Sequence, residues 1–366
     1  MSTEIEKTEP RTNSKIRILS IDGGGIRGIL PATILLHIEK QIIKLTGNKD
    51  AKIGEYFDLI AGTSTGGILA SLYLAPSKKE KTKAKYNAAA ALGLYAANGS
   101  KIFKKGFWNN ITNFPLWNEK YRADNLQKLL HEYFGETLLS ELIRPCVITS
   151  YDFLNRKAAF FNSFDARVFD SEVKDFFVKN ITRATSAAPT YFEPTQIKSR
   201  NGTEYNLIDG GVFVNNPAMC AYSEARNTEF SKDPYLQNAF KLPKPDKPTA
   251  KDMFHLSIGT GSEFKQFSFD KLRNAGLITW VPVLIDIMMS GNSETVHYHL
   301  RKIYDTLEAE DKDDYVRLAP SLHQASSEMD NATKKNITKL KEAGSYYVSE
   351  NLSRLNQIAE KLIEHS

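Results

Sequence analysis

The chain alternates short, strongly apolar runs with longer segments in which apolar residues recur every three or four positions. The short runs predict buried strands and the longer segments predict amphipathic helices. Strand patterns occur at 16–21, 56–62, 145–153, 204–211 and 252–261. Helical patterns follow most of them, which favours an α/β fold with a mainly parallel central sheet flanked by helices.

The same patterning predicts a lead-in followed by one large domain. Residues 1–14 are polar and predict a disordered lead-in, while residues 15–366 predict a single domain. Within it, lysine-rich residues 76–122 predict a basic, helical and solvated insertion, with contact to a bilayer as the alternative. The amphipathic tail, residues 332–365, predicts helices packed on the outside of the domain.

Charge and composition exclude several classes of protein. The 366 residues carry a formal net charge of +5, which is too mild to indicate a nucleic-acid polymer as partner. Two cysteines, Cys146 and Cys220, do not form a disulfide framework, and no apolar run is long enough for a transmembrane helix. The N-terminus lacks the apolar core of a secretory signal, so we expect a cytoplasmic protein. No metal-ligand spacing occurs among cysteines and histidines, and we expect no metal or other cofactor.

The first candidate site is glycine-rich and follows the first predicted strand. Gly23, Gly25 and Gly28 fit the G-x-G-x-x-G pattern of a dinucleotide-binding loop. That fingerprint needs an acidic residue about 20 positions further on, at the end of a second strand. The residue found there is Asp50, in a segment that reads as a loop. A nucleotide-binding protein therefore stays an alternative, and the loop's N–H groups are equally suited to another negative charge.

A second motif predicts a serine nucleophile. Gly62, Ser64 and Gly66 form G-x-S-x-G, directly after an apolar strand and directly before an apolar helix. This context is typical of the nucleophile elbow of α/β-hydrolases, a tight turn that presents the serine hydroxyl at the carboxyl edge of the sheet.

The base that activates Ser64 has two candidates. His255 lies in a predicted strand, but a buried histidine with a structural role is the better interpretation. Asp209 ends an apolar strand and precedes Gly210 and Gly211. The carboxyl ends of strands are where α/β sheets bind ligands, which favours Asp209.

Together, three ordered motifs resemble those of the patatin-like phospholipases: 22–28 (DGGGIRG), 62–66 (GTSTG) and 209–211 (DGG). Five other stretches are similar to that family: 150–163, 183–194, 210–218, 313–320 and 328–340. The resemblance implies a three-layer, modified α/β-hydrolase-like fold. It also implies a serine–aspartate dyad with Ser64 as nucleophile and Asp209 as base, without a catalytic histidine.

The resemblance assigns roles to the first loop as well. It implies that the N–H groups of Gly23, Gly24 and Gly25 form an oxyanion hole. Arg27 and Gly28 belong to the same motif, and Arg27 is expected to position the loop rather than to react.

The implied reaction is hydrolysis of fatty acyl esters of membrane phospholipids through an acyl-enzyme intermediate, with transient contact to the membrane surface. Because no secretory signal is predicted, the chain looks more like the intracellular bacterial members than like the secreted or vacuolar storage-type ones. Some of the intracellular members are antiphage effectors activated by cyclic di- or trinucleotides at the inner membrane. Arg122 and Tyr121 are candidate phosphate contacts. The alternatives are an unregulated lipid acyl hydrolase or esterase, or a lipid-binding scaffold. The sequence is compatible with a homo-oligomer but does not determine the oligomeric state.

Residues 276–291 are apolar and admit three interpretations. A buried helix near the active site is the preferred one. The alternatives are a wall of an acyl-binding pocket and a surface that faces the membrane.

Overall fold

The computed structural model describes residues 14–103, 121, 123–169, 171–236, 244–261 and 268–365. Their strands form one eight-stranded sheet. The strands are β1 (Ile16–Ile21), β2 (Leu59–Thr63), β3 (Cys146–Asp152), β4 (Lys157–Asn162), β5 (Thr195–Lys198), β6 (Glu204–Asp209), β7 (Met253–Ile258) and β8 (Tyr315–Leu318).

The helices cover both faces and one edge of this sheet. They are α1 (Ile29–Thr46), α2 (Thr65–Leu74), α3 (Ala88–Ile102), α4 (Asp124–Phe134), α5 (Ser163–Val168), α6 (Val178–Thr185), α7 (Ala218–Asn227), α8 (Phe269–Arg273), α9 (Leu277–Asp305), α10 (Lys334–Glu350) and α11 (Leu352–Glu364). In the described part of the chain, no helix is both long and apolar enough to cross a bilayer.

Strands β3, β2, β1, β7 and β8 run parallel to one another in that order, whereas β4, β5 and β6 join by antiparallel pairing. The parallel strands are buried at nearly every position because helices cover both of their faces. The predicted α/β class and mainly parallel sheet are therefore confirmed.

Alternate residues of the strands enter two separate apolar clusters, one on each face. Leu19 and Ile21 of β1 join a large cluster with α1, α2, α3, α6, α10 and α11. Ile16 and Ile18, on the opposite face, pack with α7 and with the C-terminal half of α9. Period-two alternation thus divides the core between the two faces and produces the three predicted layers.

Two strands meet end to end along one edge of β3, and this positions the site. Strand β4 pairs with residues 147–152 of β3 and occupies one edge. The other edge holds β2 as far as the pair Thr63–Thr149, and then antiparallel β6 from the pair Asp209–Ser150 onward. The last residues of β2 and β6 consequently face each other on consecutive residues of β3.

This arrangement corrects the reasoning that selected Asp209. The prediction treated its strand as one more parallel strand with its end at the ligand-binding edge. Strand β6 instead runs the opposite way and approaches that edge from outside. Asp209 reaches Ser64 because β3 extends three residues beyond its pairing with β2 and supplies β6 with a partner.

The lysine-rich segment is more buried than a solvated insertion would be. Helix α3 lies within it and packs against α1, with Ala91, Leu94 and Tyr95 in the core. Its small alanine side chains permit this close packing. Residues 104–120 and Arg122, which include Phe107 and Trp108 of the predicted bilayer contact, lie outside the described residues.

At the two termini, the described chain begins at Ser14, which is buried although it falls in the predicted lead-in. The rest of that lead-in, residues 1–13, lies outside the described residues. At the other end, α10 and α11 pack against α1.

Candidate active site

Ser64 occupies a strained turn between β2 and α2. Its φ of 54° and ψ of −121° lie in a region that residues with a side chain rarely adopt. A Cβ on Gly62 would lie 2.2 Å from the Gly66 carbonyl oxygen, and one on Gly66 would lie 2.1 Å from the Ile21 carbonyl oxygen. Both motif glycines are therefore required by close backbone approach, and Ser64 is held at the N-terminus of α2, where negative charge is favoured.

The Ser64 hydroxyl lies close enough to the Asp209 carboxylate to lower its pKa, and both residues line the same cavity. Asp209 also accepts a hydrogen bond of 2.7 Å from the Gly211 N–H, which fixes the orientation of the carboxylate. A Cβ on Gly210 would lie 2.2 Å from Thr149 Oγ1, so glycine at this position lets the turn after β6 lie against β3. The two predicted catalytic residues are thus brought together by β2, β3 and β6.

Asp209 has the acid–base properties of a base for neutral pH. Burial raises its pKa to about 7, against an ordinary value of 3.8, although the hydrogen bonds from Gly211 and Ser64 act in the opposite direction. A carboxylate of ordinary pKa would be a weak acceptor for a serine proton, and efficient proton transfer needs a pKa near the working pH.

Gly23 does not fit the predicted role of an oxyanion donor. Its N–H donates to the Asn215 carbonyl oxygen at 3.0 Å and is therefore already used within the fold. Gly24 and Gly25 line the same cavity as Ser64 and Asp209. The oxyanion hole predicted for three glycines is therefore restricted to these two.

Contacts with Met329 and Arg27 hold the glycine-rich loop in position. Gly25 has a φ of +58°, and a Cβ there would lie 2.2 Å from the Met329 carbonyl oxygen, which accepts the Ile26 N–H. Arg27 donates to the carbonyl oxygens of Gly24 and Gly261, at 3.3 and 3.4 Å. These contacts are those of a positioning residue, as expected for Arg27.

Gly28 ends the loop next to the nucleophile elbow. A Cβ on Gly28 would lie 2.4 Å from Thr65 Oγ1. Glycine here lets the loop approach the residue that follows Ser64.

A buried ion pair supports the loop from behind. Asp22, immediately before the glycines, accepts two hydrogen bonds from the Arg317 guanidinium at 2.8 and 2.6 Å. Arg317 also donates to Ser257 Oγ at 2.9 Å. Sequence reasoning assigned no role to Arg317, although 313–320 was among the stretches that carried the family resemblance.

Thr185 is a second residue that the sequence did not single out. Its Oγ1 accepts the Ser64 N–H at 2.8 Å and so holds the backbone of the nucleophile. It lies at the end of α6, within residues 183–194, another of the family-like stretches. The motif located the segment, but only the fold shows that this hydroxyl faces the elbow.

His255 lies away from the dyad. It pairs with Ile18 on β1, three residues or roughly 10 Å before Ile21, which pairs with Gly62. Its Nε2 lies 3.1 Å from Ser20 Oγ, and burial lowers the pKa of the imidazole to about 3. The structural interpretation of His255 agrees with this placement.

An apolar cavity leads to Ser64 and Asp209. Its walls come from α3, α4, α9 and the loop after α6, and its apolar lining includes Tyr95, Ile102, Phe103, Leu126, Pro189, Phe192, Ile285, Met288, Met289 and Met329. This apolar lining suits an acyl chain. Among the three interpretations of 276–291, lining of an acyl pocket agrees with this position, whereas complete burial does not, because Leu284 and Ile287 are exposed.

Among the described residues, no group of three His, Cys, Asp or Glu side chains is placed to hold a metal ion. The chemistry available at the site is therefore that of Ser64, Asp209, the backbone N–H groups and the apolar cavity.

Comparison with known proteins identifies the family of this chain. A family model described as Patatin-like phospholipase matches residues 19–222. Patatin-like protein 2 of Oryza sativa subsp. indica is 33% identical over 365 residues, covering 95% of this chain and 87% of that protein. Patatin-like protein 1 of Arabidopsis thaliana is 34% identical, covering 95% and 84%. Patatin group D-2 of Solanum tuberosum is 32% identical, covering 93% and 86%. The chain belongs to the patatin-like phospholipase family and is a lipid acyl hydrolase.

Proposed function

We propose that this protein cleaves fatty acyl esters of membrane phospholipids by a Ser64–Asp209 dyad. One observation carries the proposal: Ser64 and Asp209 lie together in the wall of an apolar cavity whose lining suits an acyl chain. The raised pKa of Asp209 supports its role as base, and the strained backbone of Ser64 supports its role as nucleophile.

In acylation, Ser64 Oγ attacks the ester carbonyl carbon while Asp209 accepts the hydroxyl proton. The carbonyl oxygen becomes an oxyanion that Gly24 and Gly25 stabilise through their N–H groups. Loss of one such donor costs about 2.7–4 kcal/mol in comparable sites. The intermediate then collapses, the carbon–oxygen bond to the lysophospholipid breaks, and Asp209 returns the proton to the leaving oxygen.

Deacylation repeats these steps with water. Asp209 removes a proton from a water molecule, whose oxygen attacks the acyl carbon of the ester on Ser64. Collapse of the second tetrahedral intermediate releases the fatty acid, and the proton passes to Ser64 Oγ. Asp209, positioned next to Ser64, thus takes the role that the imidazole has in a serine–histidine–aspartate triad.

The test compares Ser64→Ala, Asp209→Asn and His255→Ala on phospholipid vesicles, with lipid mass spectrometry of the products. We expect the first two variants to lose ester hydrolysis and folded His255→Ala to retain it. Retained activity in Ser64→Ala would refute the nucleophile, and a folded but inactive His255→Ala would restore a triad. The same spectra identify the acyl position that is cleaved.

Activation by a cyclic di- or trinucleotide, with a role in antiphage defence, stays a prediction from the family resemblance. One of its candidate contacts is wrong: Tyr121 is buried, its hydroxyl donates to Asp330, and its ring packs against Phe103 and Phe192. Arg122 lies outside the described residues. Phospholipid hydrolysis measured with and without a panel of these nucleotides tests the prediction, and full activity that no nucleotide changes would favour the unregulated hydrolase.

Location and assembly also stay predictions. We expect the protein in the cytoplasm, at the inner membrane while it acts on lipid. Fractionation of cells that express Ser64→Ala tests the location, and light scattering tests for a homo-oligomer.

A further inference from the structure

The hairpin between β3 and β4 extends beyond the catalytic edge of the sheet. Strand β3 is level with the end of β2 at the pair Thr63–Thr149 and continues to Asp152. Phe153 is four residues past Thr149, roughly 13 Å further out at the rise of an extended strand. The turn that follows, residues 153–156, is therefore the outermost part of this hairpin.

The exposed side chains of this hairpin are apolar and cationic. Phe153 is 44% exposed, Leu154 is 67% exposed, and Arg156 and Lys157 follow at once in exposed positions. Within the described part of the chain, neither Arg156 nor Lys157 makes an ion pair. We call residues 153–157 the hairpin tip. Two apolar side chains beside two cations have the composition of a segment that enters the interface of an anionic bilayer.

The base of the hairpin contacts the turn that carries the catalytic base. The Phe213 ring lies 5.9 Å from the rings of both Tyr151 and Phe160, on the two hairpin strands. Phe213 follows Gly211 and Val212, which line the cavity with Ser64. The hairpin therefore packs against the turn whose preceding residues, Gly211 and Val212, line the catalytic cavity.

Helix α9 extends in the same direction from the other side of Phe213. Asn292 donates to the Phe213 carbonyl oxygen at 2.9 Å, and residues from Val296 onward pack into the core. The turns of α9 before Asn292 project past the sheet and carry exposed Leu284 and Ile287, while Met288 is both exposed and part of the cavity wall. Exposed apolar side chains thus flank the cavity on two sides.

We propose that the hairpin tip anchors the enzyme on an anionic phospholipid bilayer, so that the cavity opens onto the lipid surface. Phe153 and Leu154 enter the interface, and Arg156 and Lys157 pair with anionic headgroups. This inference rests on the proposed function, because it concerns delivery of lipid to the same site. Charge complementarity favours an anionic bilayer over a second copy of this chain, whose tip would present the same cations.

The experiment measures partition onto vesicles of phosphatidylcholine with equal phosphatidylglycerol, and onto phosphatidylcholine alone. All proteins carry Ser64→Ala, so that the vesicles stay intact. Phe153→Ser with Leu154→Ser is expected to weaken partition about tenfold or more on both vesicles. Arg156→Glu with Lys157→Glu is expected to do so only on vesicles containing phosphatidylglycerol. Leu45→Ser with Lys44→Glu is the matched control, because α1 carries these exposed residues about 23–24 Å from its start at the catalytic edge.

The same tip variants with Ser64 restored are assayed on a soluble short-chain ester. Unchanged turnover there, with reduced turnover on vesicles, supports the anchor. Partition equal to that of the control would refute it, even if the wild type hydrolyses phospholipid. Absence of hydrolysis of both substrates by wild type would refute the proposed function instead, and the partition data would remain a separate result.

Discussion

Asp209 should destabilise the folded protein at the pH at which it works. Its pKa is about 7 in the fold and 3.8 in a solvated chain, because burial disfavours the charged carboxylate. The folded state therefore binds an additional proton between these two values, and stability falls as pH rises through that window. The two pKa values correspond to about 4 kcal/mol of unfolding free energy, lost between pH 4 and pH 7.

Replacing this carboxylate by a neutral amide isolates the effect. Asparagine keeps an oxygen that can accept the Gly211 N–H but does not ionise. We expect Asp209→Asn to match the wild type near pH 4 and to be more stable by about 4 kcal/mol at pH 8, although it is inactive. A variant that is more stable but inactive shows that the wild-type residue serves activity and lowers the stability of the fold.

The assay is urea-induced unfolding followed by tryptophan fluorescence, for wild type and variant, at intervals from pH 4.5 to pH 8.5. Subtracting one free energy of unfolding from the other cancels the contributions of all other titrating groups, because both proteins contain those groups. Asp313→Asn, at an exposed aspartate, controls for the substitution itself. A difference that does not change with pH would show that Asp209 has an ordinary pKa and would refute this reasoning.

Three other predictions follow from the site. Ester hydrolysis, as kcat/KM, should rise about tenfold per pH unit below pH 7 and level off above it, since Asp209 must be ionised; a flat profile would contradict the assignment. Arg317→Met should cost about 3–5 kcal/mol in urea unfolding, because the Asp22 carboxylate stays buried without its partner, whereas additional loss of Asp22 should restore part of that stability. Met289→Trp should shift hydrolysis of an ester series toward shorter acyl chains, because Met289 lines the cavity; an unchanged chain-length profile would place the acyl chain elsewhere.

The local parts of the site could be predicted from the sequence by itself. An apolar run, G-x-S-x-G and an apolar helix predict a nucleophile elbow within a dozen residues, because close backbone approach leaves few alternatives to glycine at Gly62 and Gly66. Period-two and period-3.6 patterns determined the strands, helices and α/β class in the same way. The resemblance of three ordered motifs predicted Ser64 and Asp209 as partners, and the fold places both in the lining of one cavity.

Contacts between segments distant in the chain were decided only by the tertiary structure. The direction of β6 depends on pairing with β3, and strand patterning contains no information on which edge a strand will join. The Gly23 N–H is used by Asn215, 192 positions away, so the motif alone could not separate it from Gly24 and Gly25. Burial of Asp209 sets its pKa, and burial is a property of everything packed around a residue. The sequence determined which residues carry the chemistry, whereas only the fold decided how they face each other and how strongly the base is tuned.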